Sequence, residues 1–171
     1  MPPARGKIVL LSKKFSQSFI VILICFILDR LSKIYVIDLF TQTNVNDNIY
    51  INPYLNIILL WNTGIAFGLL KSDSFVYSLI TLLIFLIIIF LFYLITKVKK
   101  SFEILCLSLI IGGATGNFID RIYYKAVPDF IDIHYNDFHW FIFNIADIFI
   151  SIGIIMLLTF DIINNNIKKN D

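Results

Sequence analysis

The stretch FVYSLITLLIFLIIIFLFYLI, at residues 75–95, contains no charged side chain and decides the fold class of this protein. A helix needs about 20 mainly apolar residues to cross the hydrocarbon core of a bilayer. Three further apolar stretches occur in the chain, so that the predicted spans are residues 15–39, 74–96, 103–120 and 140–161. Because these stretches are continuously apolar and do not alternate as barrel strands do, we predict an all-α membrane protein with four transmembrane helices.

The composition of the whole chain supports a membrane protein. Hydrophobic residues make up 58% of the 171 residues and charged residues 15%, against roughly 45–50% and about 25% in soluble domains. The net charge of +2 gives no basis for binding nucleic acid. Cys25 and Cys106 lie in apolar runs and are expected to be buried free thiols. We therefore expect one membrane domain over residues 1–171, with no metal, no cofactor and no nucleic-acid partner.

The distribution of basic residues predicts the orientation. Lysine and arginine collect on cytoplasmic loops of membrane proteins, and here they collect before the first helix, between the second and third, and at the C-terminus. Both termini are therefore predicted to be cytoplasmic. The first helix lacks a small-residue cleavage site after it, so we expect it to be retained. The residues that carry this prediction are Arg5, Lys7, Lys13, Lys14, Lys97, Lys99, Lys100, Lys168 and Lys169.

Two segments are then expected on the outer side of the membrane. Residues 50–61 are apolar and β-branched, which favours one or two surface strands between helices one and two. Residues 121–139 are rich in acids and aromatics and are expected to form a loop with solvated carboxylates at Asp132 and Asp137. His134 and His139 in this loop are five residues apart, which differs from the spacing of four in a helical metal pair. They are interpreted as interfacial histidines.

Ionisable residues inside a membrane span are costly, so they are candidates for function. Asp29 and Lys33 are four residues apart and share a helix face, with the acid before the base, which is the favourable order for an ion pair. We interpret them as a structural pair that fixes helix one in the bundle. A direct chemical role for Lys33 is the alternative.

Two glycine-containing segments carry further polar residues. In NTGIAFG, at residues 62–68, Asn62 precedes two glycines, which indicates either a turn before helix two or a loop that faces a ligand. In GGATGNFIDR, at residues 112–121, the G-x-x-x-G spacing allows a neighbouring helix to approach closely. The positions of Gly113, Asn117, Asp120 and Arg121 form one polar stripe of a helix. Since such a stripe cannot face lipid, it is expected to face other helices or a wet cavity.

A last group of polar residues contains a candidate acid–base pair. Asn144 and Asp147 are three residues apart and share a helix face. If helix four begins near Phe141, Asp147 lies about 9 Å below that start at about 1.5 Å per residue. Asp129, in the outer loop, can fold back to the same depth, so that two carboxylates meet.

These segments, in this order, resemble the bacterial lipoprotein signal peptidases, also known as signal peptidase II. The resemblance rests on five motifs and covers nearly the whole chain. They are D-x-x-x-K at residues 29–33, N-x-G-x-A-F at 62–67, G-G-A-x-G-N-x-x-D-R at 112–121, V-x-D-F at 127–130 and F-N-x-A-D at 143–147.

The resemblance implies an aspartic endopeptidase of the bacterial inner membrane, with its active site near the outer face. It implies removal of signal peptides from prolipoproteins whose cysteine carries diacylglycerol, by cleavage just before that cysteine. Its partners would be these substrates and membrane lipid, and a monomer is expected. It assigns catalysis to Asp129 and Asp147 and not to Asp120, with Asp29 and Lys33 supporting helix one. The polar lining that it implies consists of Asn62, Gly113, Asn117, Arg121 and Asn144.

Two positions depart from the family pattern. Pro128 replaces an aliphatic residue before the first catalytic position, and Phe141 stands where a proline often marks the start of helix four.

A competing hypothesis is a small transporter or assembly factor that uses the polar residues as a conduit. Such a protein would show half-length repeats or broken helices, and the sequence shows neither.

Overall fold

The computed structural model describes residues 4–43, 48–64, 74–136 and 138–170, and within them the side chains of residues 14–43, 48–64, 75–136 and 138–164. Four helices and four strands make up this part of the chain. In chain order they are α1 (Ala4–Thr43), β1 (Ile49–Asn52), β2 (Leu55–Asn62), α2 (Ser74–Lys97), α3 (Ser101–Tyr123), β3 (Val127–Tyr135), β4 (Phe138–Phe143) and α4 (Ile145–Asn170).

Three helices of the described part are long and apolar enough to cross a membrane. These spans are Phe75–Lys97, Ser101–Tyr123 and Ile145–Asn164. A spanning helix can expose apolar side chains because lipid solvates them, and α2 and α4 do so over most of their surface. A membrane crossing by α1, and with it the prediction of four spans and cytoplasmic termini, stays a prediction.

Helix α3 lies at the centre of the helical bundle and packs against α1, α2 and α4. Small residues permit this close packing. A Cβ atom added to Gly112 would lie 2.6 Å from Cys25 Cβ on α1, and one added to Gly153 would lie 2.7 Å from Ile110 on α3. The close helix approach predicted from the G-x-x-x-G spacing is therefore present between α3 and α1.

The four strands form one antiparallel sheet in the order β1-β2-β3-β4. The strands predicted in residues 50–61 correspond to β1 and β2. The prediction of a loop at residues 121–139 is wrong, because the end of α3, the strand β3 and the start of β4 occupy most of this segment, and β3 pairs with β2 on one side and β4 on the other. Asp132 in β3 is only 1% exposed, so its expected solvation is also wrong. Asp137 lies outside the described residues.

Helix four begins later than predicted. Residues 138–143, FHWFIF, form β4, since aromatic and β-branched residues favour strands. The helix begins at Ile145, directly after Asn144. Asp147 therefore lies in the first helical turn, rather than about 9 Å below the helix start, and Phe141 belongs to a strand. Helix α1 is also longer than the predicted span of residues 15–39.

Candidate active site

The start of α4 is held by a reciprocal pair of hydrogen bonds. The Asp147 backbone N–H donates to Asn144 Oδ1 at 3.2 Å, and the Asn144 backbone N–H donates to Asp147 Oδ2 at 3.1 Å. This is the capping-box arrangement, in which the residue before the helix and the third helical residue satisfy each other's N–H groups. The cap fixes the Asp147 carboxylate at the junction between the sheet and the helix.

Asp129 lies on β3, opposite Leu60 of β2, and is held by two side-chain amides. Asn62 Nδ2 donates to Asp129 Oδ2 at 2.8 Å, and Asn144 Nδ2 donates to Asp129 Oδ1 at 2.6 Å. The side chain is 2% exposed. Burial, and after it the nearby Asp147 carboxylate, raises the pKa of Asp129 to about 6. Asn144 thus contacts both acids, one through its amide nitrogen and the other through its oxygen.

Asp129 and Asp147 line the same small polar cavity, whose volume is about 80 Å³. In the part of the chain that the structure describes, the carboxylates in ion pairs are those of Asp29, Asp120 and Asp132, and neither cavity acid is among them. The cavity is large enough for water, whose share of the liquid is about 30 Å³. Its lining residues are Asn62, Asn117, Arg121, Val127, Asp129, Asn144 and Asp147.

Asn117, on the polar stripe of α3, links the cavity to a neighbouring group of charged side chains. Asn117 Nδ2 donates to Asp147 Oδ1 at 2.8 Å, and Asn117 Oδ1 accepts from Lys33 Nζ, also at 2.8 Å. Lys33 is 1% exposed and pairs with Asp29 at 2.8 Å and with Asp120 at 2.6 Å. Because Asn117 has both a donor and an acceptor, the lysine fixes the orientation of the amide that holds Asp147.

We call Asp29, Arg30, Lys33 and Asp120 the ion cluster. Its two acids are fully buried, and Arg30 bonds to both of them. The predicted Asp29–Lys33 pair is therefore present within a larger group. Arg30 was not among the candidate site residues singled out from the sequence, although its position next to Asp29 was the available signal.

The ion cluster also supports the start of α4. Asp29 Oδ1 accepts a hydrogen bond of 3.1 Å from the Ala146 backbone N–H, one of the donors that has no partner inside the helix. Gly116 makes room for this carboxylate, because a Cβ atom there would overlap Asp29 Oδ2. On the adjacent turn, a Cβ atom at Gly113 would overlap the Ala146 carbonyl oxygen. Both glycines therefore position the turn that carries Asp147.

Arg121 lies at the C-terminal end of the polar stripe and also lines the cavity. Its Nη2 donates to the Gly64 carbonyl oxygen at 2.9 Å, and its guanidinium lies 5.5 Å from the centre of the Tyr77 ring. Its Nε and Nη1 are buried and have no hydrogen-bond partner among the described residues. The rest of the glycine segment, residues 65–68, lies outside the described residues.

An apolar groove lies along α4 and has Asp147 in its lining. Its volume is about 270 Å³, and apart from the aspartate and one serine its lining is hydrophobic. Asp147 therefore lines both the polar cavity and the apolar groove. The groove is lined by Phe141, Phe143, Asp147, Ile148, Ser151, Ile152 and Ile155.

The predicted site residues therefore divide between two neighbouring places. Asn62, Asn117, Arg121, Asn144 and the two proposed catalytic acids surround the cavity, whereas Gly113 lies behind it against α4. The three remaining residues, Asp29, Lys33 and Asp120, belong to the ion cluster.

Comparison with known proteins identifies the family. The sequence profile described as "Signal peptidase (SPase) II" matches residues 21–163. The lipoprotein signal peptidase of Pelagibacter ubique is 48% identical over 160 residues, which cover 93% of this chain and 95% of that protein. That of Anaplasma phagocytophilum is 39% identical, covering 88% and 94%. A solved structure titled "Bacterial membrane enzyme structure by the in meso method at 2.3 A resolution" superposes with a TM-score of 0.73 at 32% identity, covering 91% of this chain and 93% of that one. The chain belongs to the signal peptidase II family, as the five motifs predicted.

Proposed function

We propose that this protein is an aspartic endopeptidase that removes signal peptides from diacylglyceryl-modified prolipoproteins, cutting on the N-terminal side of the lipid-bearing cysteine. Asp129 and Asp147 are the catalytic residues. The observation that carries this proposal is that a buried carboxylate, Asp129, and a half-buried one, Asp147, line one cavity and are held there by amides rather than by cations.

The chemistry requires one proton shared between two acids. Two nearby carboxylates resist being ionised together, so the pair retains a proton that a single exposed acid would lose. The ionised member takes a proton from water, and the resulting hydroxide attacks the scissile carbonyl carbon. The protonated member hydrogen-bonds to the carbonyl oxygen and then gives a proton to the departing amine. The titration belongs to the pair as a whole.

The polar lining would hold the pair and the substrate backbone in place. Asn62, Asn117 and Asn144 donate to the carboxylates, and these bonds are strengthened by the low dielectric of a buried site. The free N–H groups of Arg121 are donors available to a peptide carbonyl. Gly113 contributes by letting the first turn of α4 approach α3.

The apolar groove explains why the substrate would be lipid-modified. A diacylglyceryl group leaves the bilayer at a cost of about 0.8 kcal/mol per CH₂. The groove along α4 is a hydrophobic surface that shares Asp147 with the cavity, so acyl chains or an apolar signal peptide can lie along it while the bond beside the cysteine meets the cavity. Lipid and cleavable bond are then bound together, without transfer of acyl chains to water.

The same proposal includes the membrane arrangement. Apolar side chains of α1, including Phe19, Leu23 and Ile27, are exposed, as expected for a fourth helix in contact with lipid. With cytoplasmic termini and four crossings, the sheet and the cavity would lie at the outer face of the bacterial inner membrane. Both acids belong to one chain, so a monomer suffices, and no nucleic acid is involved.

The test is cleavage of a synthetic prolipoprotein peptide that carries diacylglycerol on its cysteine, with the unmodified peptide as comparison. Purified protein should release the signal segment just before the lipid-bearing cysteine and should leave the unmodified peptide uncut. Asp147→Asn should remove the activity, whereas Asp161→Asn, which changes an exposed acid on the same helix, should retain it. Equal cleavage by the Asp147→Asn protein would contradict the proposal.

A further inference from the structure

The sheet contains a second cluster of metal-ligating side chains, away from the two cavity acids. Asp132, His134 and His139 each direct one possible ligand atom to a common point, and these atoms all lie within 4.8 Å of one another. His139 Nδ1 is 2.9 Å from Asp132 Oδ1, and His134 Nδ1 is 3.8 Å from Asp132 Oδ2. The two imidazole rings stack at 5.3 Å between their centres.

Strand pairing brings these residues together although their spacing in sequence is not that of a helical metal site. Asp132 and His134 are two apart on β3 and so share a face of the sheet. His139 on β4 pairs directly with His134, and directly opposed residues have Cβ atoms about 4.5–5.5 Å apart. The register shifts between Ile133 and His134. Without this shift, Trp140 would oppose His134, so the bulge directs the second imidazole to the cluster.

The surroundings show that this cluster is more than one exposed ion pair. Asp132 is 1% exposed, and Asn56 of the neighbouring strand points its Nδ2 at Asp132 Oδ2 from 3.5 Å. His134 Nδ1 is buried and has no hydrogen-bond partner among the described residues. A buried nitrogen without a hydrogen-bond partner is costly. This nitrogen lies where a metal ion bound by the cluster would need a ligand atom.

We propose that Asp132, His134 and His139 form a binding site for a divalent transition-metal ion, of which Zn²⁺ fits best. Two imidazole nitrogens and one carboxylate oxygen are a ligand set that Zn²⁺ accepts, with water as the fourth ligand. Bonds of about 2.0–2.2 Å in a tetrahedron separate the ligand atoms by about 3.3–3.6 Å. The separations of 2.9 and 3.8 Å from Asp132 lie on either side of this range, and all three ligand atoms lie within 4.8 Å of one another, so side-chain shifts would complete the site.

The ion would act as a cross-link within the sheet. It joins β3 three residues after Asp129 to β4 five residues before Asn144, so the strand that carries Asp129 is tied to the strand that leads into Asn144. It is separate from the proposed peptide cleavage, and its test does not depend on that activity.

The chain contains two histidines in total, and both belong to this cluster. Co²⁺ can therefore be used as a spectroscopic probe, provided that the protein is purified in detergent without a polyhistidine tag and is treated with chelator. We expect one Co²⁺ per chain with the visible absorption of a tetrahedral site, displacement by equimolar Zn²⁺, and a rise in melting temperature on adding Zn²⁺ but not Mg²⁺.

His139→Gln is the decisive variant because the side chain is 52% exposed and its loss leaves the fold intact. It should weaken Zn²⁺ binding by at least about tenfold, abolish the Co²⁺ spectrum and remove the melting shift, with its metal-free melting temperature near that of the parent. Asp38→Asn, which removes an exposed carboxylate on α1, is the control and should bind as the parent does. Absence of saturable binding by the parent protein, or unchanged binding by His139→Gln, overturns the proposal.

Discussion

Two groups of acids lie next to each other in this molecule, and their charges are compensated in different ways. In the ion cluster, Asp29 and Asp120 are fully buried and are paired with Lys33 and Arg30. At the cavity, Asp129 and Asp147 are held by asparagine amides and a backbone N–H, with no ion pair among the described residues. Both groups lie within reach of the same first turn of α4.

The difference indicates which acids can do chemistry. A buried carboxylate that touches a cation remains ionised and fixed, since separating the charges inside the protein is costly. An amide orients a carboxylate without supplying a charge, so the carboxylate can gain or lose a proton at little cost. Burial and, after it, the nearby Asp147 carboxylate raise the pKa of Asp129, and the two amide hydrogen bonds offset this rise only in part. We therefore propose that the ion cluster positions the start of α4 and that the cavity acids carry out proton transfer.

The largest effect should follow loss of a cavity acid. We expect Asp129→Asn and Asp147→Asn each to lower turnover by at least about 10³-fold, because a proton carrier is lost while the amide remains similar in shape. Membrane insertion and yield should stay near those of the parent protein. The measurement is cleavage of the lipid-modified peptide together with the amount of folded protein. A strain that contains only one of these variants and still processes its lipoproteins would refute the paired mechanism.

Loss of an acid from the ion cluster should affect folding more than chemistry. Asp29→Ala removes a partner of Lys33 and the acceptor of the Ala146 N–H, with an expected cost of about 3 kcal/mol. The yield of folded protein should fall more than the turnover of each folded molecule. Asp29→Asn, which keeps an acceptor for the Ala146 N–H, separates the loss of charge from the loss of the cap. Normal yield with a collapsed rate would instead assign the cluster a chemical role.

Two glycines of α3 offer a matched pair of smaller changes. Gly116→Ala places a methyl group against Asp29, and Gly113→Ala places one against the Ala146 carbonyl, each at an expected cost of about 1–3 kcal/mol. Gly116→Ala should mainly lower the melting temperature, whereas Gly113→Ala should also lower turnover because it displaces the turn that carries Asp147. Thr115→Ala, on the same helix, is the control. Equal changes in both quantities for both glycine variants would mean that the two regions are not separable.

The smallest effect concerns pH. Because the folded protein raises the pKa of Asp129 from 3.8 to about 6, it binds this proton more tightly than the unfolded chain does. The resulting stability is fully present below pH 3.8 and is lost as pH rises through about 6. The free energy of unfolding measured across this interval should decline less steeply in Asp129→Asn, by on the order of 1 kcal/mol per pH unit. An identical decline in parent and variant would show that Asp129 does not carry the shift.

Sequence alone predicts the parts of this site that depend on helical spacing. The polar stripe of α3 and the pairing of Asp29 with Lys33 follow from positions three or four residues apart, and the structure contains both. The same local rule places Asn144 beside Asp147. No information from distant segments is needed for these contacts.

Contacts across the sheet were not predictable in this way. Asp129 owes its position to β2, whose Leu60 lies 69 residues earlier, so no local pattern indicates the pairing. The start of α4 was missed because the apolar strand β4 continues directly into an apolar helix. A signal for this boundary was present: an asparagine followed three residues later by an acid is a capping pattern. We interpreted the spacing of Asn144 and Asp147 as a shared helix face, although the same pattern also marks the start of a helix.

The single side chain at position 144 limits which residue can stand there. Its oxygen caps the helix, while its nitrogen bonds to the acid on the strand. Serine or aspartate would satisfy the first requirement without supplying the amide donor, and glutamine would be one methylene too long for the cap. Asparagine combines both groups at this reach, so one short side chain joins the strand that carries one acid to the helix start that carries the other.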